Sequence, residues 1–317
     1  MDADSGTPAR VSGPAPVTRS IRVVKAGEIG ADPRGFYEEF AREPVVVKEV
    51  YDHLTELRAL DWDGLTAMFA GGTLKTYDAQ SFGEVAVAAS EVFDGARGGP
   101  KKFNIVDHSV VGEAFGKMFE VAPFLRHNWI VGLLPGMAHM EKSLTVSPAG
   151  NFTSLHVDGY GMQGWMYLIQ GHKSWELFPP RDIPLLFDPT FREFFDPRQP
   201  DPERYPYAEK AEKWAGDAGA GDLLYFPSSW AHQVWTHEPS FGFGGSVIND
   251  FQVMEETRCW LWERTLRMQG GVDFARLLAG IPPDRCYDEA GFRRTRAALE
   301  LCRTWEARMR ELGIPVE

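Results

Sequence analysis

The amino-acid sequence predicts a mainly β fold with flanking helices, of the jelly-roll kind. From about residue 129 to residue 250, short apolar segments alternate with turns rich in Gly, Pro and Asn, as in a β-sandwich or barrel. A mixed pattern of helices and strands precedes this region, and a helical pattern follows it from residue 255. The chain of 317 residues is long for one average domain, but barrels with appended helices reach this size.

Composition divides the chain into three parts. Residues 1–19 are rich in Pro, Gly, Ala and Ser and lack the apolar stretch of a signal peptide, which predicts a disordered leader and a cytoplasmic protein. Residues 20–254 form the predicted β domain with its N-terminal α/β part, and residues 255–317 form a C-terminal helical segment. No apolar run of about 18 residues is present, so neither a membrane span nor a membrane partner is expected.

Charge and cysteine content restrict the classes of partner. The net charge of -12 argues against a nucleic-acid partner, which needs a basic surface, although a local basic pocket is still compatible with it. Cys259, Cys286 and Cys302 match no zinc-binding spacing, and a sparse, odd number of cysteines favours a reducing compartment. The richness in Ala, Gly, Arg and Asp is typical of a GC-rich bacterial genome.

Helices and strands alternate in the N-terminal part. Apolar, β-branched runs predict strands, and apolar residues on one side of a longer segment predict helices. The predicted strands are Ile21–Lys25, Pro44–Lys48 and Thr73–Tyr77, and the predicted helices are Pro33–Arg42, Trp62–Ala70 and Phe82–Phe93.

Seven short strands are predicted in the β domain. Each combines apolar residues with flanking turn residues. The strands are Trp129–Leu134, Leu144–Val146, Gly164–Gln170, Lys173–Phe178, Asp222–Phe226, Ala231–Thr236 and Gly242–Asp250. A barrel built from them has an interior in which a small metal site can lie.

A long connection and two helices complete the predicted elements. The proline-rich segment Arg181–Gly219 carries one predicted helix, Ala208–Ala215, and is either a lid or binding loop or an insertion without a role. The two C-terminal helices are predicted over Glu255–Met268 and Glu289–Leu312. An apolar stripe on the second helix packs either onto the barrel or onto a second copy of the chain, so a homodimer through these helices is one of two alternatives.

Two histidines and one aspartate have the composition of a mononuclear iron site. His156 and Asp158 are two residues apart in a strand-like segment, where alternate side chains point the same way. His232 follows in another strand with Trp230 and Val234 as same-face neighbours. Two imidazoles and a carboxylate can occupy one face of a non-haem Fe(II) and leave three positions open. A lone histidine in such surroundings is more often a hydrogen-bonded core residue, so only the set of three indicates a metal site.

Lys173 adds a second feature to this region. It shares a strand face with Trp175 and Leu177 and therefore points into the predicted barrel. A lysine in an apolar interior is costly unless a negative group meets it. That group is either an internal Asp or Glu, or the carboxylate of a bound ligand such as a 2-oxo acid that chelates the metal through its other end.

Four segments, in the same order, resemble the JmjC and cupin-like Fe(II)/2-oxoglutarate oxygenases. They read TSLHVD over residues 153–158, GHKSWELFPP over 171–180, GDLLYFPSSWAH over 221–232 and SVIN over 246–249. The resemblance extends from about residue 129 to residue 251 and, less closely, to the N-terminal part. Each segment alone is a weak signal, whereas the ordered set is specific.

The resemblance implies a double-stranded β-helix with a metal at the mouth of the barrel. His156, Asp158 and His232 match the residues that bind Fe(II) in this family. The family also uses 2-oxoglutarate as a cosubstrate and O2 as an oxidant. Sequence alone does not distinguish iron from manganese, nickel or zinc, since affinity does not select Fe(II).

The same resemblance implies the cosubstrate-binding residues. Lys173 matches the cation that holds the distal carboxylate of 2-oxoglutarate, with Thr153 beside it, and Asn249 matches an amide near the cosubstrate. Strict strand alternation places Thr153 on the face opposite His156, so its role requires a bulge or a turn. Met166 departs from the pattern, because several relatives have a polar residue there.

The resulting hypothesis is a dioxygenase that hydroxylates a small molecule or an amino-acid-type substrate and releases succinate and CO2. The first alternative is a hydroxylase of protein or peptide side chains, although no peptide-reading module is visible in the sequence. The second is a metal-binding cupin without oxidative chemistry, which has no reason to place Lys173 inside. A third, an inactive interaction module, would normally lack one of the three candidate ligands.

Overall fold

Two facing β-sheets form the centre of the molecule in this computed structural model, which describes residues 17–78, 84–99, 103–107, 116–133, 140–266 and 273–314. The described strands are β1 (Thr18–Ser20), β2 (Arg22–Lys25), β3 (Val45–Lys48), β4 (Thr73–Asp78), β5 (Glu84–Ala88), β6 (Phe103–Asp107), β7 (Ser143–Ser147), β8 (Phe152–His156), β9 (Gln163–Gln170), β10 (His172–Phe178), β11 (Phe187–Asp188), β12 (Glu193–Phe194), β13 (Lys213–Gly219), β14 (Leu223–Phe226), β15 (Ala231–Thr236) and β16 (Ser240–Val247).

The strand order confirms the predicted mainly β fold of the jelly-roll kind. The smaller sheet has five strands in the order β1-β13-β10-β15-β8, and the larger has nine in the order β2-β3-β14-β9-β16-β7-β6-β4-β5. Nearly all neighbours are antiparallel, whereas β1 joins β13 and β2 joins β3 in parallel. From β7 to β10, and again from β13 to β16, consecutive strands alternate between the two sheets, and β8 pairs with β15 at one end of the smaller sheet.

Apolar side chains fill the space between the sheets. Trp175, Leu177 and Val234 of the smaller sheet share one buried cluster with Val46 and Leu224 of the larger sheet. Along β10 the odd-numbered side chains are buried and the even-numbered ones before residue 178 are partly exposed, as strand alternation predicts. The predicted inward face of this strand is therefore confirmed.

Helices cover the outside of the sheets. The described α-helical segments are α1 (Ala26–Ile29), α2 (Pro33–Glu39), α3 (Thr55–Arg58), α4 (Trp62–Met68), α5 (Ala89–Ala96), α6 (Ile130–Leu133), α7 (Ile183–Leu186), α8 (Val253–Thr265), α9 (Phe274–Gly280) and α10 (Glu289–Glu311). In α2, Asp32 caps the N-terminus by accepting from the Arg34 N–H, and Phe36 and Tyr37 are buried against the larger sheet. None of the helices in the described segments is long and apolar enough to cross a membrane.

Two predicted helices are wrong in part because their residues pair in sheets. Within Phe82–Phe93, the segment Glu84–Ala88 is a strand that pairs antiparallel with β4, and only the residues after it are helical. Within Ala208–Ala215, a single turn is followed by β13, which lies between β1 and β10. A Cβ at Gly216 would lie 3.0 Å from the Ile21 side chain, so this glycine lets β13 approach the residue that follows β1. Pairing partners distant in sequence override local helix propensity here.

Two other segments also differ from the sequence prediction. Trp129–Leu134 is not a strand in its described part, because Gly132 has a φ of 82° and the segment forms the irregular turn α6. Residues 1–16 lie outside the described residues, but Thr18–Ser20 already pairs with β13. The structured part therefore begins before residue 20.

The C-terminal helices share a second core with the barrel. Leu299 and Cys302 of α10 are buried with Trp129, Ile248 and Trp260, which confirms that part of the predicted stripe packs on the protein itself. Leu312, by contrast, is 53% exposed. A homodimer through these helices stays a prediction.

Candidate metal centre

His156, Asp158 and His232 come together at one end of the smaller sheet. One potential ligand atom from each lies within 4.8 Å of the others. The Nε2 atoms of His156 and His232 lie 3.6 Å and 3.8 Å from Asp158 Oδ1. Since transition metals bind imidazole and carboxylate at about 2.0–2.2 Å, small side-chain movements suffice for all three to contact one ion.

Both imidazole rings are oriented by the backbone. His156 Nδ1 lies 2.7 Å from the Ser154 carbonyl oxygen, and His232 Nδ1 lies 3.1 Å from the Trp230 carbonyl oxygen. A carbonyl oxygen can only accept, so each Nδ1 donates its proton, and the neutral ring keeps the lone pair of Nε2 for a metal ion. Metal-binding histidines commonly have this arrangement, in which the second ring nitrogen fixes the tautomer.

His156 lies on a strand, but Asp158 lies in the turn that follows it. β8 ends at His156, directly opposite His232 in the register of β8 and β15. Asp158 lies beyond the strand and precedes the 3-10 turn Gly159–Gly161, in which Tyr160 has a φ of 61°. The turn, and not strand alternation alone, therefore directs the carboxylate toward the two rings.

Burial and charge affect the two imidazoles differently. Burial lowers the pKa of His156, but the hydrogen bond and the negative charge of Asp158 outweigh it, so the pKa is raised. His232 is only 4% exposed, and burial together with the neighbouring His156 lowers its pKa to about 4. The His232 ring is therefore neutral at pH 7, which is the form that binds a metal ion.

A cavity of about 280 Å³ contains the triad and Lys173 in its wall. His232 is at its buried side, whereas His156 and Asp158 side chains are 38% and 27% exposed. Met162, Met166 and Phe226 supply apolar wall. The triad therefore lies at the mouth, with a protected interior behind it.

Lys173 is a buried cation inside this cavity. Lys173 is only 5% exposed, and its Nζ donates a hydrogen bond to Ser147 Oγ at 3.0 Å. Burial lowers its pKa to about 8, and no carboxylate of the described residues contributes. Of the two partners considered from the sequence, an internal Asp or Glu is thus not found in the described part of the chain.

A bulge places Thr153 in the same cavity. In the pairing of β15 with β8, His232 is opposite His156 and Val234 is opposite Thr153, so β8 has one extra residue. This irregularity cancels strict alternation, and Thr153 lines the cavity together with His156. Met166 also lines it, as an apolar side chain.

Asn249 is not brought to the cavity. It follows β16 and is fully buried, and its amide oxygen accepts from the Phe251 N–H at 3.1 Å. Its amide nitrogen donates to the His127 carbonyl at 3.2 Å. Because both ends of the amide hold the local turn, the predicted contact with a cosubstrate is not supported by this geometry.

Sequence reasoning missed the polar face of β7. Thr145 and Ser147 both line the cavity, and Thr145 Oγ1 is buried without a hydrogen-bond partner in the described structure. The Trp175 indole nitrogen is buried and unpartnered in the same way. The alternation Ser-Leu-Thr-Val-Ser in residues 143–147 was a usable signal, but it does not say which face is inside.

The comparisons with known proteins agree with this geometry. The model of the family described as "Cupin-like domain" matches residues 117–243. Human HSPB1-associated protein 1 is 33% identical over 113 residues, 33% of this chain and 23% of the human protein. Chicken tRNA wybutosine-synthesizing protein 5 is 35% identical over 104 residues, 32% of this chain and 31% of that protein.

A third relative is more distant but aligns over a longer segment. Zebrafish lysine-specific demethylase 7B is 21% identical over 175 residues, 53% of this chain and 30% of that protein. The chain thus aligns with less than a third of the length of each of these relatives. All three come from vertebrates, so a bacterial origin of this chain stays a prediction. The resemblance to JmjC and cupin-like proteins is confirmed, and the segment that matches the cupin-like family model is residues 117–243.

Proposed function

We propose that the protein is an Fe(II)/2-oxoglutarate-dependent dioxygenase that hydroxylates a substrate with O2 and releases succinate and CO2. One observation supports this most directly: the same cavity is lined by the three candidate metal ligands and by a buried lysine that has no carboxylate partner among the described residues. A buried charge requires compensation, and a dicarboxylate that reaches from the metal to Lys173 provides it. The alternative of a cupin without oxidative chemistry leaves this lysine unexplained.

The donor set fits the metal and the cosubstrate. His156, Asp158 and His232 would hold Fe(II) on one face, which leaves positions open for other ligands. Lys173 and Ser147 would bind the distal carboxylate of 2-oxoglutarate. Bound Fe(II) supplies the activation of O2 by which 2-oxoglutarate and the substrate are oxidised.

The cavity contains further donors for this carboxylate. The hydroxyl groups of Thr145 and Thr153 and the indole N–H of Trp175 are in its wall, and two of these groups are buried without a partner among the described residues. A hydrogen bond from such a donor to a charged carboxylate oxygen is stronger than a hydrogen bond between two neutral groups. The apolar side chains of Met162, Met166 and Phe226 exclude water from the same space.

The size of the cavity limits the substrate. Ligand pockets measure about 300–1,000 Å³, and this cavity of about 280 Å³ must also hold 2-oxoglutarate. With 2-oxoglutarate bound, little of the cavity remains, which favours a small molecule or a single side chain as the group that is oxidised at the triad. We favour a small or amino-acid-type substrate, and the partly exposed His156 and Asp158 at the mouth keep a peptide side chain as the alternative.

Turnover of 2-oxoglutarate tests this proposal. Purified protein with Fe(II), ascorbate, O2 and 2-oxoglutarate is expected to form succinate slowly, and faster when a substrate is added from panels of amino acids, small metabolites and peptides. The variants His156→Ala and Lys173→Met serve as controls and should form none above background. Equal succinate formation by the wild type and by His156→Ala would contradict the proposal.

A further inference from the structure

We infer that Glu263 of helix α8 is a positioning residue that holds Asp158 in place for metal binding. The inference rests on the proposed metal site and extends it to a helix outside residues 117–243, the segment matched by the cupin-like family. Glu263 does not itself line the cavity. It acts through the backbone of the turn that follows Asp158.

The contact is a backbone hydrogen bond inside the protein. The Tyr160 N–H lies 3.2 Å from Glu263 Oε1 and 3.1 Å from Oε2, so both oxygens accept from one donor. Glu263 is only 4% exposed. Little water competes for a hydrogen bond at such a buried acceptor.

The residue held in this way has an unfavourable backbone conformation. Tyr160 has a φ of 61°, a region that residues other than glycine adopt rarely and at an energetic cost. It is two residues from Asp158, and the Gly161 N–H donates to the Asp158 carbonyl at 2.9 Å. A change at Tyr160 would therefore be transmitted to the backbone of the candidate ligand.

The same turn is also fixed from its other side. The Gly161 carbonyl accepts from Ser228 Oγ at 2.7 Å and from the Ser229 N–H at 3.0 Å. A Cβ at Gly161 would lie 2.5 Å from the Cβ of Cys259 in α8, so the turn lies tightly against this helix. The turn after Asp158 and the segment before His232 are thus bound to each other.

Helix α8 contacts both of these segments. Gln252, at its N-terminus, accepts from the Ser228 N–H at 2.7 Å through Oε1, while Glu263 lies three helical turns later and holds Tyr160. Removal of a residue that orients a metal ligand typically lowers the affinity for the metal by about 10–100-fold. The contact of Glu263 with Tyr160 can be tested by a near-isosteric substitution to glutamine.

Binding of Mn(II) to the full chain, measured without turnover by titration calorimetry, tests the inference. Glu263→Ala is expected to weaken binding by about 10–100-fold, whereas Glu263→Gln keeps an acceptor oxygen and should stay within about threefold of the wild type. Leu278→Ala, in the buried core of the same C-terminal helices, is the matched control. It should lower the melting temperature without changing the affinity for Mn(II).

The outcomes separate the two levels of the proposal. If the wild type binds no Mn(II), the proposed metal site itself is wrong. If the wild type binds but Glu263→Ala binds equally well, or Leu278→Ala weakens binding as much, only the positioning role is wrong. If Glu263→Ala does not fold, the comparison is made with Glu263→Asp, whose shorter side chain retracts the carboxyl group from Tyr160. Weaker Mn(II) binding by Glu263→Asp than by Glu263→Gln supports the positioning role, and equal Mn(II) binding by the two variants overturns it.

Discussion

The environment of Lys173 is unfavourable for a charged side chain in the protein alone and is suited to binding an anionic ligand. Its ammonium group has a hydroxyl, Ser147 Oγ, as partner and no carboxylate among the described residues. Burial of a charge without a counter-charge is unfavourable and is retained mainly where it serves binding or chemistry.

Replacing Lys173 with methionine should separate stability from function. Removal of the buried ammonium is expected to raise the free energy of unfolding of the ligand-free protein by roughly 1–3 kcal/mol, because the unfavourable burial disappears. The same substitution should abolish 2-oxoglutarate binding. Urea denaturation and calorimetric titration measure the two effects, and a variant that is less stable than the wild type would contradict the expected sign.

The affinity for 2-oxoglutarate should depend on pH through Lys173. Its pKa in the ligand-free protein is about 8, and an anionic ligand favours the charged form. Below pH 8 the lysine is already protonated, whereas above it binding must take up a proton, so the dissociation constant should rise by up to about tenfold per pH unit. Titrations of the metal-loaded protein between pH 7 and pH 9 measure this. A flat profile would show that Lys173 does not bind the carboxylate.

The sequence predicted that His156, Asp158 and His232 come together and that Lys173 points inward, because both depend on residue type and spacing. It predicted less well what depends on the chain path. Thr153 reaches the cavity only through a bulge in β8, and Asn249 is used by its own turn. Neither a bulge nor a turn follows from strand alternation.

Among the elements, strands with a clear apolar pattern such as β10 and β14 were predicted, whereas β13 was not. β10 and β14 are buried on the inner side as expected. β13 has the sequence KWAGDAG, which lacks β-branched residues, and it is a strand because β1 and β10 pair with it on both sides. Local sequence does not contain that information.

Two glycines of β13 provide a test of this pairing. A Cβ at Gly216 would lie 3.0 Å from Ile21, whereas a Cβ at Gly219 would have its nearest atom 3.8 Å away. Gly216→Ala is therefore expected to lower the free energy of unfolding by about 1–3 kcal/mol through crowding. Gly219→Ala should have little effect. Thermal or chemical denaturation compares them, and equal stability of the two variants would argue against the close approach of β13 and β1.

In the whole molecule, the barrel shares a buried hydrogen-bond network with helix α8, which lies outside residues 117–243. Gln163 of β9 donates to Glu256 of α8 at 2.9 Å, and Tyr225 donates to Gln163 at 2.9 Å. All three residues are fully buried, and burial raises the pKa of the Glu256 carboxyl. The predicted border between residues 254 and 255 therefore lies inside α8, in a continuous buried network.

Metal and cosubstrate should stabilise the folded chain as a unit. At a free ligand concentration of 100 times its dissociation constant, binding to the folded state alone adds about 2.7 kcal/mol. We expect Mn(II) with 2-oxoglutarate to raise the melting temperature of the wild type, and a chelator to reverse this. In His156→Ala the same additions should leave it unchanged. A shift of equal size in that variant would mean that the ions bind elsewhere.

The visible spectrum of the anaerobic, Fe(II)-loaded protein with 2-oxoglutarate tests the proposed cofactor chemistry most directly. We expect a weak metal-to-ligand charge-transfer band in the wild type, no band in His156→Ala and a weakened band in Lys173→Met. This result would establish that the triad binds iron and that 2-oxoglutarate chelates it. The absence of a band in the fully reduced wild type would contradict the assignment and favour a metal-binding cupin without oxidative chemistry.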